Sequence, residues 1–332
     1  MVQVIPRIDT RHAMLGSVAS LVVLGLLAWW LWPNEEPPSG TITLSTGADR
    51  GVYQQYGREM KTAIAGDMPR LKIELQSSNG SETNVSRVAT GESDFAIAAA
   101  DAVQTYLEEN RPGAGKLRGL ARLYDDYVQV VVPVTSPIHS VADLRGKRVA
   151  VGPEGSGVRL IADRVLAAEG LDIDKDIRSR PDTIRTSPDA LRDGTIDAFF
   201  WSGGLPTKGL SDLAATGYEY RFVPIGSELV AKLHGEDDSF LHYRASVMPA
   251  DAYPTILRGS TVPTITVANL LITREDMNPR LTQWLTRMVI KNRDRIGKDV
   301  HAAQLVDLRT AIYTDPLLLQ KGAKQYYQSV KP

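Results

Sequence analysis

The sequence predicts an α/β protein with two similar lobes, preceded by a single membrane-spanning helix. Strands and helices alternate along most of the chain, and the same strand–loop–helix order returns about 105 residues later. A stretch of 20 uncharged residues near the N-terminus predicts the membrane helix. At 332 residues the chain is long enough to bury two cores rather than one.

The composition narrows the class of function. It is that of a globular protein, with 43% hydrophobic and 23% charged residues, and a net charge of −1 gives no electrostatic reason to expect nucleic acid. The absence of cysteine excludes disulfides, thiolate metal sites and a lipid-modified cysteine. No motif pairs the carboxylates, and the five histidines lack metal-ligand spacing. We therefore expect no catalytic residue, no metal and no cofactor.

The uncharged stretch covers residues 13–32, and as a helix it would span roughly 30 Å, the thickness of a bilayer core. Basic residues precede it and acidic residues follow it, so the positive-inside rule places residues 1–12 in the cytoplasm and the rest outside. A cleaved signal peptide is the main alternative, but it would need small residues where this stretch ends in Trp-Trp-Leu-Trp. A buried core helix is a second, less favoured alternative for this stretch. Residues 33–40 predict a short Pro-rich linker.

The first lobe opens with a strand at 41–45, a glycine loop and a helix whose apolar residues recur every four positions. The predicted elements that follow are a strand at 71–75, a helix capped by Ser81 and ended by Gly91, and a strand at 94–98. Two long apolar runs, at 127–134 and 264–272, predict strands that cross between the lobes. The first lobe would then comprise residues 41–130 and 265–332, and the second residues 131–264.

The second lobe repeats this order with a strand at 148–151, a glycine loop, a helix and a strand at 196–200. The loop glycines Gly47 and Gly152 are 105 residues apart, and the helix-ending Gly91 and Gly194 are 103 apart. This spacing predicts two lobes of one design. A chance likeness between common βα units is the alternative.

Three glycine-rich turns, 46–51, 79–81 and 155–157, each join a strand to a helix. Such a turn exposes backbone N–H groups at the positive end of a helix dipole and lies beyond the carboxyl end of a strand, which suits a carboxylate ligand. Simple helix capping is the alternative for each turn. None of them matches a dinucleotide fingerprint, a P-loop or a nucleophile elbow.

Six segments in order resemble the TAXI family, the extracytoplasmic solute receptors of tripartite ATP-independent periplasmic (TRAP) transporters. They are TGADRGVYQQYG (46–57), SNGSETN (78–84), GESDFAIAAAD (91–101), ADLRGKRVAVGPEGSG (142–157), GTIDAFFWSGGLP (194–206) and GAKQYY (322–327). The resemblance implies a type II periplasmic-binding-protein fold, with a hinge and a cleft between two lobes. It also implies a small ligand, such as an amino acid or organic acid, that is delivered to a TRAP permease.

The same resemblance implies a set of ligand-binding residues in the cleft. They are Thr46, Gly47, Gly51, Tyr53, Ser81, Asn84, Asp101, Gly155, Ser156, Gly157, Trp201, Ser202 and Gly203. Trp201 could instead be a core aromatic. The chain departs from the family pattern at Ala99 and Ala100, where Gln is frequent, at Val158 in place of Thr, and at Asp126 in place of Glu, so the ligand could differ.

We expect, from these patterns together, a receptor anchored in the cell membrane with its binding domain outside the cytoplasm. Two other functions fit the same patterns. One is a ligand sensor that signals to a membrane partner without transport, although residues 1–12 are too short for a signalling domain. The other is a surface enzyme on a two-lobed scaffold.

Overall fold

The computed structural model describes residues 36–235 and 241–330. The predicted cytoplasmic tail and the predicted anchor at 13–32 lie outside these residues. The account below concerns the compact unit Pro38–Pro332. Within its described residues, no helix has both the length and the apolar character needed to cross a bilayer.

Strands and helices alternate through the described residues. The strands are β1 (Gly40–Ser45), β2 (Leu71–Gln76), β3 (Phe95–Ala99), β4 (Leu117–Pro133), β5 (Arg148–Ala150), β6 (Arg178–Arg180), β7 (Ala198–Gly203), β8 (Tyr220–Val223), β9 (Tyr243–Met248) and β10 (Val262–Arg274). The helices are α1 (Val52–Asp67), α2 (Ser81–Thr90), α3 (Ala100–Glu108), α4 (Gly157–Ala168), α5 (Ser187–Arg192), α6 (Lys208–Ala215), α7 (Ser227–His234), α8 (Pro254–Leu257), α9 (Pro279–Lys291), α10 (Arg293–Ile296), α11 (Leu308–Ala311) and α12 (Lys321–Ser329).

These strands form one sheet in the order β2-β1-β3-β10-β4-β7-β5-β6, with β8 paired to β4 and β9 paired to β10. In the first lobe β1 lies between β2 and β3 and is parallel to both. In the second lobe β5 lies between β6 and β7 and is again parallel to both. The two lobes therefore share one plan, which confirms the predicted α/β fold with two similar lobes.

The repeat extends to individual hydrogen bonds. The Thr43 N–H donates to the Asp94 carboxylate over 2.8 Å, and the Arg148 N–H donates to the Asp197 carboxylate over the same distance. Both pairs join the first strand of a lobe to the entry of its third strand. Because their residues are 105 and 103 apart, as the glycines are, these bonds argue against a chance likeness of βα units.

Strands β4 and β10 run antiparallel to each other and connect the lobes. Strand β10 pairs with β9 through residues 262–267 and with β3 through residues 269–272. Strand β4 pairs with β7 from Tyr127 onward. The apolar run at 127–134 matches the second half of β4, where the strand enters the second lobe, and the run at 264–272 covers most of β10. Arginines and aspartates interrupt the first half of β4, so hydrophobicity alone did not reveal it.

Each lobe has a buried layer on both faces of its part of the sheet. In β3, Phe95 and Ile97 join one hydrophobic cluster while Ala96 and Ala98 join another. In β4, Val130 and its neighbour Val131 likewise belong to different clusters. Such two-sided burial is typical of parallel sheets covered by helices on both faces. It leaves the loops beyond the carboxyl ends of the strands as the place for a ligand.

Candidate functional site

A cavity of about 60 Å³ lies between the lobes, beyond the carboxyl ends of β1, β3, β5 and β7. Its walls come from the loop before α1, the turn before α2, the first turn of α3, the loop before α4, the end of β7 and the crossing strands. It is therefore the meeting point of the glycine-rich turns that the sequence singled out.

The structure brings ten of the thirteen predicted site residues into the wall of this cavity. They are Gly47, Gly51, Tyr53, Ser81, Asp101, Ser156, Gly157, Trp201, Ser202 and Gly203. Thr46, Asn84 and Gly155 lie outside the wall, and each has a different role in the loops around it.

Asn84 and Thr46 hold the first-lobe loops in place. The Asn84 amide donates to the carbonyl oxygens of Thr46 (2.8 Å) and Ile97 (2.7 Å), and its oxygen accepts from the Ser45 and Ser78 hydroxyls. The Thr46 hydroxyl bonds to the Gln54 side chain and to a backbone carbonyl. Both side chains are fully buried and their hydrogen bonds are made within the first lobe, so they position the wall from behind it.

Gly155 joins the two lobes. Its carbonyl accepts from the Thr83 N–H (3.0 Å) and hydroxyl (3.1 Å), and the neighbouring Glu154 carbonyl accepts from the Asn79 amide (3.2 Å). Gly155 has a φ of +75°, and a Cβ there would lie 2.9 Å from the Thr83 hydroxyl oxygen. A side chain would therefore be strained and would push the loops apart. The lobes are closed against each other on this side of the cavity.

Besides α3, whose first turn carries Asp101, three helices begin at the cavity wall: α1 and α2 from the first lobe and α4 from the second. The first N–H groups of a helix have no acceptor within it, so these termini present donors and positive potential to the cavity. The Ser156 hydroxyl caps α4 by accepting from the Arg159 N–H (3.0 Å). The Ser156 N–H donates to the Pro153 carbonyl (3.2 Å), so at this terminus the following residue, Gly157, presents its backbone to the cavity.

Ser81 was expected to be the N-cap of α2, but the N-cap is Gly80 and Ser81 is the first helical residue. The Ser81 hydroxyl is used elsewhere, since it accepts from the Ala99 N–H (3.1 Å) and bonds to the Tyr53 hydroxyl (3.0 Å). With φ of +137°, Gly80 adopts a backbone conformation that a side chain would strain, and this left-handed turn lets the chain enter the helix without a capping side chain.

Trp201 lines the cavity from the second lobe. Its indole N–H donates to the Thr207 hydroxyl (3.0 Å), while its ring packs partly on a second-lobe hydrophobic cluster. The ring edge lies 3.6 Å from the position that a Gly51 side chain would occupy. Trp201 therefore lines the cavity and also packs partly in the core, so both alternatives considered from the sequence apply to it.

The first of two buried carboxylates in the wall defines the Asp101 corner, formed by Asp101, Arg164 and Tyr243. Asp101 accepts from the Tyr243 hydroxyl (2.6 Å) and from the Ala102 N–H (2.8 Å), and it lies 3.6 Å from the Arg164 guanidinium. Arg164 donates in turn to the Tyr243 hydroxyl (2.8 Å) and the Thr105 hydroxyl (2.7 Å). Since Arg164 is on α4 and Asp101 is on α3, this corner joins the lobes.

The second carboxylate defines the Asp126 corner, formed by Asp126, Tyr53 and Asn269. Asp126 is 3% exposed, its Oδ2 lies 3.5 Å from the Tyr53 hydroxyl, and its Oδ1 has no hydrogen-bond partner among the described residues. Burial raises the pKa of Asp126 to about 7, against the opposing effect of the Asn269 amide and with a further increase from Asp101. The Tyr53 hydroxyl donates to the Asn269 oxygen, and the Asn269 Nδ2 also lacks a partner there.

Sequence reasoning missed several residues of the wall. Asp182 and Thr183 follow β6, an edge strand of three exposed residues that carried no pattern. Asp126 was noted as a departure from the family pattern but not as a site residue. Its signal was present, since it is a carboxylate directly before an apolar strand run. Asn269 lies outside the wall but bonds to Tyr53, and it had no signal, because only the pairing of β10 with β3 and β4 brings it there.

The fold and the closed cavity define a two-lobed solute-binding protein of the periplasmic type. A family model described as NMT1-like matches residues 44–330, and the chain belongs to this NMT1-like family. The prediction of a binding protein rather than an enzyme is confirmed at the level of family and fold.

Two solved structures with TM-scores of 0.50 and 0.51 support the fold, and a third is similar at a lower score. The alkanesulfonate-binding protein SsuA from Xanthomonas axonopodis pv. citri, bound to MOPS, is 16% identical with a TM-score of 0.50, over 89% of this chain and 85% of that one. A protein from Bordetella bronchiseptica RB50 is 18% identical with a TM-score of 0.51, over 88% and 90%. The periplasmic aliphatic sulphonate binding protein SsuA from Escherichia coli is 14% identical with a TM-score of 0.48, over 89% and 84%.

Proposed function

We propose that this protein is an extracytoplasmic receptor that binds a small solute carrying a carboxylate and delivers it to a TRAP-type permease. The observation that carries the proposal is the convergence of three helix N-termini, two from one lobe and one from the other, on one closed cavity. Backbone N–H groups at such termini favour an anion. A ligand that reaches both lobes stabilises the closed arrangement, which a permease can then recognise.

Closure of the two lobes around a solute tests whether the protein is a receptor. Small-angle scattering on the full-length protein in detergent should show compaction when its solute is added. A solute at about 100 times its dissociation constant should stabilise the native state by roughly 2.7 kcal/mol and raise the melting temperature. Tight binding without compaction, or chemical conversion of the bound compound, would contradict a transport receptor.

The location rests on residues 13–32, whose charge asymmetry favours an uncleaved anchor with residues 1–12 in the cytoplasm. Protease added to intact cells should remove the large domain, and mass spectrometry should find Met1 still joined to it. A mature N-terminus near residue 40 in the native host would show a cleaved leader instead.

The lobe boundaries and the partner complete the proposal. We place the lobes at 41–130 with 265–332, and at 131–264, with the hinge in the two crossing strands. For the partner, cross-linking in native membranes followed by mass spectrometry should recover a many-helix permease of the TRAP type. Recovery of a nucleotide-hydrolysing transporter, or of a signalling protein, would assign the receptor to a different membrane partner.

A further inference from the structure

The charged side chains of the cavity wall indicate which charges the solute carries, beyond the anion that the helix N-termini favour. Among the described residues, the wall contains three carboxylates, Asp101, Asp126 and Asp182, and no lysine, arginine or histidine. A solute with only negative charge would therefore contact carboxylates but no basic side chain in this wall.

Two of the three carboxylates are already neutralised by the protein. Asp101 is paired with Arg164 and bonded to Tyr243, and the Asp182 carboxylate lies 3.1 Å from the Arg180 guanidinium. Asp126 has no basic partner among the described residues, and one of its oxygens has no hydrogen-bond donor there. Within that part of the chain, its only neighbours of opposite polarity are the Tyr53 hydroxyl, 3.5 Å from Oδ2, and the Asn269 amide. A buried carboxylate with so few donors and no cation costs several kcal/mol, so its retention points to a partner that arrives with the ligand.

We propose that Asp126 receives a protonated amine of the bound solute, so the solute carries a cationic nitrogen in addition to its carboxylate. The inference rests on the proposed function of the cavity as the solute site. The aromatic side chains of Tyr53, Phe200 and Trp201 line the same cavity, and their faces also favour a cation. The carboxylate of the solute then lies toward the helix N-termini and the amine toward the crossing strands.

The affinity for an amine should depend on pH through Asp126. The titratable groups around it are Tyr53 from α1, Asp101 from α3, and Tyr124 and Asp125 on its own strand, while Arg164 and Tyr243 act through Asp101. Because Asp126 must be ionised to hold the amine, affinity should fall about tenfold for each pH unit below 7 and level off above it.

The experiment uses the full-length protein in detergent and calorimetric titration at pH 8. The probes are matched sets of three acids that share a carbon skeleton of three to six carbons and carry an amino, hydroxy or oxo group at position 2. We expect the amino acid of the set that binds to bind at least about tenfold more tightly than its hydroxy and oxo counterparts. Asp126→Asn should weaken that amino acid roughly ten- to a hundredfold and remove the pH dependence.

Asp125→Asn is the matched control, since it removes the same charge from the next residue of β4, where the carboxylate is paired with Arg122 outside the cavity. It should leave affinity within about threefold. Thermal melting of both variants checks that they fold.

Each other outcome is informative. Equal or tighter binding of a hydroxy or oxo acid, or an unchanged affinity in Asp126→Asn, would overturn the amine assignment while leaving the receptor function in place. If no probe binds, mass spectrometry of the solute that co-purifies decides, since a solute without a basic nitrogen overturns the assignment. Failure to find any bound solute would contradict the proposed function and this inference with it.

Discussion

The Asp101 corner and the Asp126 corner both place a buried carboxylate in the same cavity, yet their surroundings are opposite. Asp101 has a hydroxyl donor, a backbone N–H donor and a guanidinium around it, and all of them are supplied by the protein. Asp126 has one distant hydroxyl and an oxygen without any partner among the described residues. The first corner joins the lobes and uses its charge for stability. The second keeps its charge available at the expense of stability, as binding sites commonly do.

The largest effect should come from breaking the Asp101 corner. Arg164→Ala leaves Asp101 buried without its cation and removes the donors to Thr105 and Tyr243, so it should lower the free energy of unfolding by about 3–5 kcal/mol. Urea unfolding of the full-length protein measures this. Arg58→Ala, which breaks an exposed pair with Asp49, should cost less than about 1 kcal/mol. Similar losses in the two variants would show that the corner does not hold the lobes.

The Asp126 corner should respond in the opposite direction. Because the pKa of Asp126 is about 7 when folded and near 3.8 when unfolded, the unfolded chain releases its proton first as pH rises from 4 to 7. Ionisation therefore destabilises the ligand-free fold through this window, and the cost is constant above pH 7. Asp126→Asn should raise the free energy of unfolding at pH 8 by up to roughly 4 kcal/mol, with no gain at pH 4. Urea unfolding measured at both pH values tests this prediction, and a lower free energy of unfolding in the variant at pH 8 would contradict it.

A smaller effect should come from the hydroxyl between the two corners. Tyr53→Phe removes the group that bonds to Ser81 and Asn269 and contacts Asp126, and it should cost about 1 kcal/mol of stability. It should also raise the pKa of Asp126 further, because this hydroxyl lowers it. Tyr56→Phe is the control, since the Tyr56 hydroxyl is buried without a hydrogen-bond partner among the described residues and its removal should cost nothing. Equal losses in both variants would mean that the Tyr53 hydroxyl makes no useful bond.

The smallest effect should come from Asp125, one residue away on the opposite face of β4. Its pair with Arg122 is partly exposed, so Asp125→Asn should change stability by less than about 1 kcal/mol at any pH between 5 and 8. Urea unfolding of this variant and of Asp126→Asn separates the effect of burial on stability from the effect of charge, because the two substitutions remove the same charge. If the free energy of unfolding of Asp125→Asn rose with pH as much as that of Asp126→Asn, burial would not be the cause of the effect at Asp126.

The sequence by itself determined the repeat, the order of elements and most of the loops in the cavity wall. Periodicity and glycine spacing are local properties that can be read from the sequence. They predicted β1, α1 and the turn before α4 to within a residue or two. The same local signals placed the end of α2 at Gly91.

Only the tertiary structure decided which polar residues face a solute. The family resemblance implied Asn84 and Thr46 as ligand-binding residues, yet the packing of three loops uses their hydrogen bonds inside the first lobe. Asp126 carried a weak signal and Asn269 none, because they are 143 residues apart and meet only through the pairing of β4 with β10. Whether a polar group is satisfied or left open depends on neighbours that are distant in the chain, and no local pattern records them.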